Sequence, residues 1–165
     1  MRHVAVAGGL LAMFWLIASP VAGQRPAADP DERALAAYRL NDATLNRFIA
    51  ASRAMAAAAR PRVDTVAEED EDEADSKTIA DIAAFYDAQP PFRQALARAG
   101  LTSREYVTFM LTLFQAGMAA WLVEQHGWDK LPPEIARENV VFYQRHKAQL
   151  DSLTAELKER EGSPP

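Results

Sequence analysis

Eighteen consecutive residues, Tyr106–Val123 (YVTFMLTLFQAGMAAWLV), carry no charge, and this run constrains the fold more than any other feature of the chain. As a helix it measures ~27 Å, at the threshold for crossing a bilayer. The same pattern also marks the central helix of a bundle, apolar on all sides because neighbours cover it. Thr108, Thr112 and Gln115 interrupt the run, and the segments around it carry one apolar stripe each, which needs a partner helix for burial. The central-helix reading follows: an all-α fold, a compact bundle of four to six helices around a helix at about 103–126. On this reading Phe114 and Trp121 belong to the core. Ala116, Gly117, Ala119 and Ala120 form a small-residue patch where another helix comes close.

The helix boundaries are written in capping chemistry. Thr102-Ser103-Arg104-Glu105 is a capping box and Gly127 a stop for the central helix. Upstream, Asp29-Pro30-Asp31-Glu32 opens a short helix to about Leu40. Asn41-Asp42 caps a second helix, whose Leu45, Phe48, Ile49, Met55 and Ala56 share a face and which Pro61 ends. Ser76 caps a helix carrying Ile79, Ile82, Ala83 and Tyr86; Pro90-Pro91 starts another, closed by Gly100. The last helix is expected from Glu134 to about Arg160, with a stripe of Ile135, Asn139, Phe142, His146, Leu150, Leu153 and Leu157.

The N-terminus reads MRHVAVAGGLLAMFWLIASPVAGQ: a basic start, an apolar run from Val4 to Ala18, then small residues. This is the layout of a secretory signal peptide, with cleavage after Gly23. Fifteen apolar residues span only ~22 Å, short of a hydrocarbon core, so a retained anchor is the lesser reading. The expected organisation is a signal peptide over 1–23 and one helical domain over 24–165, exported to the periplasm or secreted, with no stable membrane span after cleavage. The chain has no cysteine, which excludes disulfides, thiolate metal sites, a cysteine nucleophile and a lipidated cysteine anchor.

An acidic run, EEDEDEAD at Glu68–Asp75, sits inside a segment at 61–76 expected to be an exposed linker. Without Arg2 the chain has 17 basic and 23 acidic residues, and seven of the acids lie in this run, so the rest is close to neutral. The run is expected to offset the neighbouring Arg47, Arg53, Arg60 and Arg62. An EF-hand register from Asp70 fails, because Ala74 and Asp75 stand where an acid and the invariant glycine belong. Export and overall charge argue against a nucleic-acid partner.

Chemistry-bearing patterns are sparse. There is no HExxH pair, no glycine-rich phosphate loop and no GxSxG elbow, and Glu124 and His126 are too close in sequence to share a helix face. No catalytic residue, metal ligand or cofactor is assigned. Asn139 and His146, two turns apart on one face, are candidates for a polar pair inside the bundle. With Trp121 they could line a ligand pocket between helices. Trp128 and Tyr106 are further aromatics of that kind, more ordinarily core.

In YRLNDATLNRFIAASRAMA, AGLTSREYVTFMLTLFQAGMA and NVVFYQRHKAQLDSL the chain resembles small exported bacterial α-helical proteins of uncharacterised function. The resemblance covers most of 24–165 and implies the same segment order, without assigning any active residue. The resulting expectation is a non-enzymatic protein acting by binding or envelope interaction on a protein or small-molecule partner. A small-molecule carrier and an enzyme whose site forms only on folding are the alternatives.

Overall fold

A computed structural model describes residues 29–58 and 78–162, and within them the chain is helical apart from short connections. Six α-helices follow in order: α1 (Pro30–Ala37), α2 (Asp42–Ala58), α3 (Ile79–Asp87), α4 (Pro90–Ala99), α5 (Ser103–His126) and α6 (Arg137–Gly162), with a 3-10 turn at Trp128–Lys130. The all-α bundle and its central helix stand as the sequence implies. The leader, the acidic run and Ser76 lie outside the described residues.

Three of the helices start on reciprocal capping boxes. Asp29 pairs with Glu32 on α1, Thr78 with Asp81 on α3, and Thr102 with Glu105 on α5. In each, the cap side chain accepts from the third helical N–H while the carboxylate accepts from the cap N–H, so two otherwise unpaired donors are satisfied. The cap of α3 is thus Thr78. The hydrogen bonds that Thr102 donates, from its backbone N–H first and its hydroxyl second, hold the Glu105 carboxyl below its ordinary 4.5. Gly100, at φ 71°, closes α4 in the left-handed conformation that glycine adopts without strain.

Two further ends differ from the sequence expectation. α1 stops at Ala37 instead of Leu40, because Tyr38 turns extended and its carbonyl, with the Leu40 N–H, pairs with Asn139. α6 starts at Arg137 instead of Glu134. Ile135 N–H bonds back to Pro132 in a separate turn, and the carbonyl of Ala136 takes the first helical donors.

The core forms where α1–α4 and α6 gather on α5. Phe109, Val107 and Ala116 of α5 are fully buried, with Leu45, Phe48 and Ile49 of α2, Ile79 of α3, Leu96 of α4 and Phe142, Leu150 and Leu153 of α6 around them. Phe48 stacks on Tyr106 at 4.9 Å and leans on Phe109 at 5.0 Å, while Tyr86 meets Tyr106 edge-on at 5.4 Å. Such aromatic pairs stabilise beyond simple burial. Burial pushes the Tyr106 hydroxyl up to about 12, offset in part by its 3.0 Å hydrogen bond with Ser52. A second small cluster joins Ala119 and Ala120 of α5 to Val140 of α6, with Trp128, Leu131 and Ile135 packed over it.

The small-residue patch behaves as expected. Ala116, Ala119 and Ala120 are buried, and the ring of Tyr143 lies so close over Gly117 that an added Cβ would sit 2.9 Å from it. The expectation for Phe114 and Trp121 is corrected: they are 64% and 61% exposed. Among the described residues, the neighbours of α5 cover one side of it and leave the other open.

Thr102→Ala should lower stability by about 1 kcal/mol in urea unfolding. Because the folded Glu105 carboxyl titrates lower than the unfolded one, its contribution is complete above its ordinary 4.5 and fades as pH falls through the lowered value. The stability gap between wild type and Glu105→Ala should therefore narrow on acidification. Phe109→Ala should cost about 3–5 kcal/mol, whereas Phe114→Ala should stay within about 0.5 kcal/mol of wild type.

Candidate functional site

The three sequence candidates meet different surroundings. Asn139 is 3% exposed and uses its whole amide to fix the α1–α2 connection. Its Oδ1 accepts from Leu40 N–H at 3.0 Å and its Nδ2 donates to the Tyr38 carbonyl at 3.0 Å. A side chain so engaged is a clamp between α6 and a loop about 100 residues away in sequence, with both its oxygen and its nitrogen bonded to backbone.

His146 lies two turns further along α6. Its ring packs on Phe142 at 4.4 Å. Its Nδ1 is 3.2 Å from Gln149 Oε1, and its Nε2 is 2.8 Å from Asp42 Oδ1 at the start of α2. Nε2 is buried and makes no aligned hydrogen bond, so the Asp42 approach is a close contact and not a directed one. The pair joins α6 to the first turn of α2, where Asn41 Oδ1 caps Thr44 N–H. Trp121 is on α5 with its ring in solvent, and no hydrogen bond or ring contact among the described residues joins it to Asn139 or His146.

Among the described residues no three His, Asp or Glu side chains gather as a metal site. An open cleft of about 300 Å3 lies between α3, α4 and the start of α5, lined by Asp87, Arg93, Ser103 and Arg104 over an apolar floor of Ala83, Leu96 and Leu101. Ser103 is buried there and donates to Asp87 at 2.6 Å, which ties the end of α3 to the first turn of α5.

The arginines of α2 have partners within the bundle. Arg47 donates to the Gly100 carbonyl and to Thr44, and Arg53 pairs with Glu156 at 2.9 Å. The acidic run expected to offset them lies outside the described residues, as do Arg60 and Arg62.

The feature that sequence reasoning missed is the outer face of α5. Phe114, Met118 and Trp121, spaced by four and three residues, are 64%, 60% and 61% exposed. Val141, on the adjacent α6, is 47% exposed. Half of the most apolar 18-residue window of α5 is buried, and the other half carries these side chains. A signal was present in the sequence: the buried Ala116, Ala119 and Ala120 lie opposite 114, 118 and 121 on a helical wheel, and small residues mark the side of close approach. Isolated exposed apolar residues are ordinary, but three large ones in a row on a rigid helix form a patch of the kind used for association.

No protein-family model, curated protein or solved structure matches the chain.

Asn139→Ala would leave the Leu40 N–H and the Tyr38 carbonyl without partners. It should destabilise by about 2 kcal/mol or more in urea unfolding. His146→Gln, which keeps a polar group beside Asp42, should cost less.

Proposed function

We propose that this chain is an exported, non-enzymatic helical protein that works by binding, and that the outer face of α5 is its binding surface. The observation that carries the reading is the line of Phe114, Met118 and Trp121, held about 60% in solvent by a helix whose other side is packed. Leaving three such side chains exposed forgoes roughly 1.5–3 kcal/mol each relative to burial, and a partner that covers them recovers it. The helix is already formed, so the ordering cost of binding falls on the exposed side chains and not on the backbone. The leader-like N-terminus supports action in the bacterial envelope.

A photo-reactive amino acid at position 118 should give a cross-linked adduct in intact cells, and the same group at the polar exposed position 145 should not. Absence of any adduct at 118 would contradict the reading. N-terminal sequencing of the protein recovered from the periplasm should begin at Gln24; a chain that still starts at Met1 would replace the exported form with an anchored one.

A further inference from the structure

We infer that the partner covering α5 is a second copy of this chain, packed antiparallel across a two-fold axis near Met118; the inference rests on the reading of α5 as a binding face. Leu111, Phe114, Met118, Trp121 and Gln125 follow the alternating three- and four-residue spacing of a helix–helix seam. The occupant is therefore a helix. The exposed part of the seam is symmetric about its own midpoint: Phe114 and Trp121 lie almost equally far from Met118 on either side. An antiparallel copy sets Phe114 against the other copy's Trp121, and Met118 against Met118. Every large exposed group on this face meets an apolar group, which is the self-complementarity an isologous interface requires. The whole run Tyr106–Val123 is uncharged, so no like charges oppose each other across the axis.

The area agrees with a reversible dimer. Phe114, Met118 and Trp121 at about 60% exposure and Val141 at 47% offer on the order of 400 Å2 of apolar surface per copy. With the polar rim that interfaces carry, two copies bury roughly 1,200 Å2, the lower edge of specific association. The expected dissociation constant is in the micromolar range, at the weak end of specific association.

The protein, expressed with its own leader and purified as the host processes it, is measured by sedimentation equilibrium from about 1 to about 200 µM, a range that brackets this constant. The mass should rise from one chain to two. Met118→Glu sets two carboxylates face to face at the axis and should weaken association at least about tenfold, while Phe85→Glu, at an exposed apolar residue on α3, should leave it unchanged. A wild-type chain that stays monomeric throughout, or a Met118→Glu chain that associates as well as wild type, overturns the inference.

The absence of cysteine gives a second readout that does not depend on adding a charge. Helix axes 8–10 Å apart bring the Cα atoms at the axis within disulfide range. Met118→Cys should form a covalent dimer under mild oxidation much faster than Phe85→Cys; equal rates overturn the inference. A monomeric chain that instead buries Trp121 in phosphatidylglycerol vesicles overturns it in favour of a lipid surface. In that case the photo-adduct at position 118 would still separate a failed dimer from a failed binding face.

Discussion

The close approach of α6 to α5 across Gly117, Ala119 and Ala120 determines which way the rest of the molecule faces. The Tyr143 ring rests on Gly117, and Val140 fills the space beside Ala119 and Ala120. Only small residues permit that distance. Once this side of α5 is committed inward, helical geometry turns Phe114, Met118 and Trp121 outward. The exposed stripe is the geometric consequence of the packed one, and a single helix serves both as the axis of the core and as an outward surface.

Around that axis, a few polar side chains hold distant segments in place. Asn139 joins α6 to the extended residues before α2. Asp31 accepts the N–H of Ile79 at 2.6 Å, tying α1 to the start of α3, and Ser103 does the same for the end of α3 and the start of α5. Ser52 and Tyr106 pair inside the core between α2 and α5. Each satisfies a group that would otherwise be buried or left open at a helix end. In a bundle of short helices these ties set the register, which apolar burial alone leaves loose.

Helix identity was largely legible in the sequence because capping is local. The Asp29-to-Glu32 and Thr102-to-Glu105 boxes, the Gly100 stop and the Asn41 cap all depend on residues within one turn. Of the ends that moved, Tyr38–Leu40 was decided by a distant partner, an asparagine on α6 that supplies the hydrogen bonds, and the start of α6 by a turn at Pro132–Ile135 that the sequence pattern did not separate from the helix. The orientation of α5 was misread for a related reason. Its run is apolar on every side, so hydrophobicity could not say which side faced in; residue size could, through Ala116, Ala119 and Ala120. Asn139 stood out correctly as a buried polar residue, but its role emerged only with the loop it holds.

The central claim is that the outer face of α5 is in water when the chain is alone and covered when it is at work. Trp121 reports on this directly. In a chain carrying both Trp15→Phe and Trp128→Phe, acrylamide quenching of its fluorescence is followed as protein concentration rises. Strong quenching in dilute solution that falls as the concentration increases is the predicted result. Protection already present in dilute solution would place Trp121 in the core of the monomer, and strong quenching at every concentration, with and without envelope components, would leave the face uncovered; either would contradict the account.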